Sequence, residues 1–129
     1  AHAGWRGLPP GVVEATVAAM QVPAGEVVAW LGAAIGPDAF EVGEEVRETF
    51  VATHPLTVGA FRPARASQKW LADIYAIARI RLAAVGVGEV HGGGLCTVGD
   101  ATRFYSYRRD GATGRMASLI WLDPAAAGR

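Results

Sequence analysis

Residues 27–36 read VVAWLGAAIG, ten consecutive positions without a charged side chain. Burying such a run is favourable in proportion to its apolar area, so any fold for this chain has to cover it. Its length and its β-branched and aromatic members read as a buried strand, while periodicity alone also fits a helix. Pro23-Ala24-Gly25 stops the chain before the run, and Pro37-Asp38 turns it afterwards.

The remaining segments alternate between helical and extended patterns. Val13, Val17 and Met20, with Val12 beside them, predict a helix of about three turns whose stripe Thr16 interrupts. Residues 44–53 read as a second helix with an acidic face. Pro55, Gly59, Pro63 and two arginines mark residues 54–66 as an exposed loop. Leu71, Ile74, Ala78, Leu82 and Val85 predict a long amphipathic helix flanked by Arg79 and Arg81, with Gly86 placed to end it. A short strand over 87–90 precedes a flexible HGGG turn and Cys96. Residues 104–107 and 116–122 read as two strands around an Asp110-Gly111 turn, and the AAAGR tail as frayed. With no internal repeat and no domain boundary, the chain reads as one domain of mixed α and β.

Composition narrows the function classes. Of the 129 residues, 51% are hydrophobic and 19% charged, which argues against disorder. No apolar run reaches the roughly 18 residues of a membrane span, so no membrane partner is expected. Twelve basic and twelve acidic residues cancel, yet residues 1–60 carry two basic against seven acidic, and residues 61–129 carry ten against five. Eleven of the twelve cations are arginines, and Lys69 is the sole lysine. A neutral chain without a basic run is a poor nucleic-acid binder. Planar guanidinium forks suit a small anion such as phosphate instead. The single cysteine, Cys96, cannot form an internal disulfide, which favours a reducing, cytoplasmic setting.

Three segments carry candidate chemistry. In AHAGWRG, residues 1–7, two glycines let the backbone approach a ligand while His2, Trp5 and Arg6 crowd one point. The bland alternative is a glycine loop steadied by Trp5, since one histidine is a weak metal signal. His2 is expected at the mouth of a pocket, free of core packing. In FYSYRRDGATGR, residues 104–115, Arg108 and Arg109 would face opposite sides of a strand, and Arg115 would return a second guanidinium across the turn. That describes either an anion clamp or an ordinary hairpin with surface ion pairs. In HGGGLCT, residues 91–97, a His91–Cys96 pair is conceivable, but a lone cysteine after a glycine turn is more often a small buried hydrophobe. His54, before Pro55, reads as structural.

The blocks AHAGWRGL, AWLGAAIGPDAFEVGEEVRETF, KWLADIYAIARIRLAAVGV, CT and FYSYRRDGATGRMASLIWL together resemble, in order, successive blocks of the YfiH family, once labelled multicopper polyphenol oxidoreductases or laccase-domain proteins. The resemblance implies an α+β fold, a mixed β-sheet packed with helices, of which residues 1–129 form the C-terminal part of a single domain. Family members are about twice this length, and the chain does not begin with methionine, so an N-terminal half is expected upstream. The resemblance also implies a Zn2+ site made of one histidine and one cysteine from that half together with His2. The activity it implies is phosphorolysis of purine nucleosides (adenosine, inosine, S-methyl-5′-thioadenosine), with adenosine deamination on the same site. His2 and Arg6 would then be catalytic, and Arg108, Arg109 and Arg115 would bind substrate. Cys96 matches the family's CT dipeptide, distinct from the zinc-binding cysteine. Two further readings stand beside this one: an amidase editing a nucleotide-linked peptidoglycan precursor, and an inactive interaction module. With one metal donor in three, the chain by itself is expected to be inactive.

Overall fold

A computed structural model describes residues 1–124, so the AAAGR tail lies outside the described residues. The element order is α1 (Val12–Ala19), a short 3-10 helix (Ala24–Glu26), β1 (Val28–Leu31), β2 (Glu41–Gly43), α2 (Glu44–Thr53), a second 3-10 helix (Pro55–Ala60), β3 (Phe61–Pro63), β4 (Lys69–Ala72), α3 (Ile74–Ala84), β5 (Glu89–Gly92) and α4 (Tyr107–Asp110). The strands form two small sheets. In one, β1 and β5 run parallel, with Val28 opposite Glu89 and Leu31 opposite Gly92. In the other, β4 lies between β2 and β3, antiparallel to both.

α3 is the spine. Asp73 caps its start, the carboxylate accepting the Ala76 N–H at 2.9 Å. The helix therefore begins at Ile74 rather than at Leu71, and Leu71 belongs to β4. An aspartate three positions into the apolar pattern was the signal for that boundary. At the far end the Gly86 N–H bonds to the Ala83 carbonyl and the Val87 N–H to the Leu82 carbonyl, both at 3.0 Å. This double closure needs a left-handed residue after the cap, and Gly86 supplies it with φ +93°. Ile77 and Leu82 enter a core shared with Leu8, Val13, Phe50, Phe61 and Val87. The Phe50 and Phe61 rings meet at 6.0 Å, tilted by 46°.

Three segments depart from the sequence pattern. Residues 54–66 hold a 3-10 helix and an edge strand, with Thr57, Ala60 and Phe61 buried against the core. The apolar run 27–36 is a strand only over its first half, because the HGGG turn breaks the ladder, and that strand is not buried as expected, with Val28 58% and Trp30 55% exposed. Gly92, Gly93 and Gly94 all have positive φ, and a Cβ on Gly92 would sit 2.3 Å from the Leu31 carbonyl oxygen. Beyond that point side chains replace ladder bonds. The Tyr75 hydroxyl accepts the Ala34 N–H at 2.7 Å and donates to the Leu95 carbonyl at 3.1 Å. The 104–107 and 116–122 hairpin does not form. Ser106 caps the single turn α4 instead, and residues 116–122 belong to no sheet, with Ile120 92% and Leu122 95% exposed. A strand needs a ladder partner for its backbone groups, and none of the described residues offers one to this segment. Among the described residues no helix is long and apolar enough to cross a membrane.

Arg81 is 5% exposed, and its Nε lies 2.5 Å from Glu14 Oε1. Its Nη2 donates to the Pro9 carbonyl at 3.3 Å and its Nη1 to the Thr53 hydroxyl at 3.4 Å. Removing one member of a buried ion pair leaves the other charge uncompensated. Arg81→Ala is expected to lower unfolding stability in urea by about 3 kcal/mol, while the double change Arg81→Met with Glu14→Leu recovers most of that loss. A single change within experimental scatter of wild type would show that the pair carries no weight.

Candidate functional site

The first eleven residues make a compact turn. The Gly4 carbonyl accepts N–H bonds from Gly7 at 3.0 Å and Leu8 at 2.9 Å, and the Gly7 carbonyl accepts Val12 N–H at 3.1 Å. Leu8 is fully buried and Pro9 is held by Arg81, so the loop is anchored at its C-terminal end. The turn allows little bulk inside, since a Cβ on Gly7 would approach the His2 carbonyl oxygen to 3.3 Å. The His2 imidazole folds back over Gly4, where an added Cβ would stand 3.4 Å from Nε2. His2 and Arg6 are exposed and turned outward, and the Arg6 guanidinium rests 5.0 Å from the Trp5 ring centre.

Both residues line a cleft of about 800 Å³. Trp30, Gly32 and Ala33, at and beyond the end of β1, form one wall. Phe104, Tyr105 and Tyr107 form another, and residues 113–116 with Ser118 close over it. Arg115 thus shares the cleft with His2 and Arg6, and no carboxylate among the described residues lines it.

The arginines divide by what they touch. Arg47, Arg62, Arg81, Arg103 and Arg109 each pair with an acid. Arg79 donates to the Val90 and Gly92 carbonyls at 3.0 and 2.7 Å. Arg108 donates to the Glu41 carbonyl at 3.0 Å and lies over the Phe40 ring, outside the cleft lining. Arg109 is committed to the Thr97, Val98 and Phe104 carbonyls at 2.8, 3.2 and 3.0 Å and to Asp110. That ion pair raises the Arg109 pKa and lowers the Asp110 pKa. Among the described residues, Arg6 and Arg115 are left at the cleft without an acidic partner. Two uncompensated guanidiniums beside an imidazole and aromatic faces can hold an anion with a planar, apolar attachment.

Other sequence candidates fall elsewhere. His91 Nε2 sits 2.8 Å from Glu89 Oε1 on the surface. Cys96 Sγ accepts the Gly36 and Gly99 N–H groups, each at 3.3 Å. Burial pushes that thiol's pKa up, and the bonds from Gly36, Gly99 and Val98 together outweigh it, so the pKa lies below the ordinary value. His54 Nδ1 is buried without a partner. Among the described residues no three histidine, cysteine or acidic groups gather as a metal site. His2 is the single such donor lining the cleft, and one imidazole does not hold zinc by itself. The aromatic wall had escaped sequence reasoning. Trp30 reads as core within its apolar run, and Tyr105 and Tyr107 read as strand residues.

The architecture is that of a mixed α/β protein with a cleft lined by arginines and aromatic side chains. More particularly, the chain belongs to the family described as multi-copper polyphenol oxidoreductase laccase, whose model matches residues 1–123. A Pseudomonas aeruginosa relative named purine nucleoside phosphorylase is 61% identical over 122 residues, covering 95% of this chain and 50% of its own length. Purine nucleoside phosphorylase YfiH of Escherichia coli is 55% identical over 122 residues, again 95% of this chain and 49% of its own. The crystal structure of a Neisseria meningitidis protein matches with a TM-score of 0.91 and 58% identity, over 95% of this chain and 50% of that one. YlmD from Geobacillus stearothermophilus matches with a TM-score of 0.74 at 26% identity, over 85% of this chain and 43% of its own. The chain spans about half the length of the curated relatives it matches.

Asp100 organises the turn that leads into Phe104 and Tyr105. Its carboxylate accepts the Thr102 hydroxyl at 2.7 Å, the Arg103 Nε at 2.5 Å and the Arg103 N–H at 3.1 Å. The Thr102 hydroxyl and then Arg103 hold its pKa down at about 2. A depressed folded-state pKa contributes stability that is present above the unfolded value of about 3.9 and fades as pH falls toward the folded one. The Phe104 and Tyr105 NMR resonances are therefore expected to stay native-like at pH 5 and to shift between about pH 4 and 2. In Asp100→Asn the turn is loosened already at neutral pH. Identical titrations of the two proteins would remove Asp100 from this role.

Proposed function

We propose that this protein acts as a purine nucleoside phosphorylase, with the cleft between the His2 loop and residues 112–118 forming part of its active site. The observation that carries the reading is a pair of guanidiniums, Arg6 and Arg115, in a cleft where no carboxylate of the described residues pairs with them. The names of the relatives supply the reaction. In phosphorolysis a phosphate oxygen forms a bond to C1′ of the nucleoside as the bond from C1′ to the purine nitrogen breaks. The purine leaves with the bonding pair and takes up a proton, and the sugar becomes a 1-phosphate. Arg6 and Arg115 would hold the phosphate by charge-assisted bonds and offset its charge. Trp30 and Tyr107 offer flat apolar faces to the base. Arg108 and Arg109 serve in this reading by holding the walls.

His2 takes the part of one donor in a zinc site whose other donors, one histidine and one cysteine, would come from the half of the longer relatives that this chain does not span. Adenosine, inosine and S-methyl-5′-thioadenosine are the substrates of this reading, with adenosine deamination as a companion activity and the cytoplasm as its place. The chain alone would bind zinc weakly and turn over no nucleoside, because losing two of three donors removes most of the coordination energy.

The test joins this chain to the remaining half of a close relative and follows phosphate-dependent release of purine. Arg6→Ala and Arg115→Ala are each expected to raise the KM for phosphate at least about tenfold, the cost of a lost charge-assisted bond, with zinc content unchanged. His2→Ala lowers zinc content and activity together. No purine release by the joined protein, or an unchanged phosphate KM in both arginine variants, overturns the reading.

A further inference from the structure

Residues 112–118 cross the cleft as a strap without regular secondary structure. Among the described residues they make no hydrogen bond or ion pair to the rest of the chain. Two close contacts involving glycines seat them. A Cβ on Gly114 would lie 2.6 Å from Tyr105 Cε2 and 2.8 Å from Cδ2 and Cζ, so the Tyr105 ring packs directly on the bare α-carbon of Gly114. The second contact is looser, with Ser118 Oγ 3.5 Å from the position of a Cβ on Gly32. Arg115 follows Gly114 directly and lies between the two seats.

Tyr105 is itself fixed from both sides. The Phe104 N–H bonds to the Asp100 carbonyl at 3.1 Å, and the Phe104 carbonyl accepts from Arg109 at 3.0 Å. Ser106, on the other side, is buried and caps α4. The backbone on both sides of Tyr105 is thus held, and among the described residues its ring is the close packing partner of the strap.

We propose that Tyr105, seated on Gly114, is a positioning residue that holds the 112–118 strap over the cleft and so sets where Arg115 stands relative to Arg6 for a phosphate-class anion. This rests on the phosphate reading of the cleft and adds to it how the second guanidinium is placed. Fixing Arg115 in advance spares the anion the cost of ordering the strap on binding. The ring supplies the seat, and among the described residues its hydroxyl has no partner, so Tyr105→Phe should keep the seat. Tyr105→Ala removes it. Gly114→Ala brings a methyl group into the ring's place, so that ring and strap must part.

The experiment measures two quantities on the chain joined to the remaining half of a close relative: inorganic phosphate affinity, and amide hydrogen exchange of residues 112–118 without phosphate. Tyr105→Ala and Gly114→Ala are expected to weaken phosphate about tenfold and to speed exchange in the strap, whereas Tyr105→Phe matches wild type in both. Wild-type exchange and affinity in Tyr105→Ala overturn the proposal, as does a Tyr105→Phe loss equal to that of Tyr105→Ala. If wild type binds no phosphate while strap exchange still follows the Ala and Phe pattern, the seat stands and the phosphate reading of the cleft falls. If phosphate binds and neither quantity changes in the Ala variants, the phosphate reading stands and the seat falls.

Discussion

Arg81 stands where four parts of the chain converge. Carried on α3, its guanidinium faces Glu14 of α1, the Thr53 hydroxyl at the end of α2 and the Pro9 carbonyl of the His2 loop. A charge in this position is costly to desolvate, and its geometry has to be met by several partners at once. The most distant of those partners, Pro9, lies 72 positions from Arg81 along the chain. Consequently the packing of α1 on α3 and the orientation of the His2 loop are one event. Gly11, left-handed at φ +97°, lets the chain turn into α1 beside this pair, close to Arg81 Nη2.

The same logic recurs at the cleft, where side chains stand in for backbone pairing. Once the HGGG turn has broken the β1–β5 ladder, the backbone groups of the apolar run still need partners. Ala34 finds the Tyr75 hydroxyl and Gly36 finds the Cys96 sulfur, while the Thr97 N–H returns to the Ala34 carbonyl at 2.9 Å. Cys96 therefore acts as an acceptor that ties two segments together, and its lowered pKa follows from that role. Arg79 and Arg109 do similar work with carbonyls on either side of it. A wall built this way is stiff without being a sheet.

What remains uncommitted is then informative. Most of the arginines are held by acids or carbonyls within the fold, and the two that face the cleft lack a carboxylate partner there. Exposed aromatic faces gather at the same place. Along residues 116–122 the exposed apolar side chains are of the kind that a sheet would cover, in a chain that spans half the length of its relatives.

Local chemistry made much of this legible in the sequence. The spacing of apolar residues marked α1 and most of α3, the acidic run marked α2, and Gly86 marked the α3 terminus, because each depends on neighbours within one or two turns. The glycines around His2 and Arg6 marked the loop on which the cleft depends. Family blocks spread over the chain pointed to a mixed α/β fold before any contact was known. Tertiary structure alone decided the rest. Leu71 became a strand residue because β2 and β3 flank it, and the 104–107 segment ran into a capped turn because no partner strand stood beside it. Which arginines face the cleft depends on where each finds a carboxylate or a carbonyl, often from a distant segment. Spacing along a chain does not encode those distances, so it named Arg108, Arg109 and Arg115 together, and only the folded chain separated Arg115 from the other two.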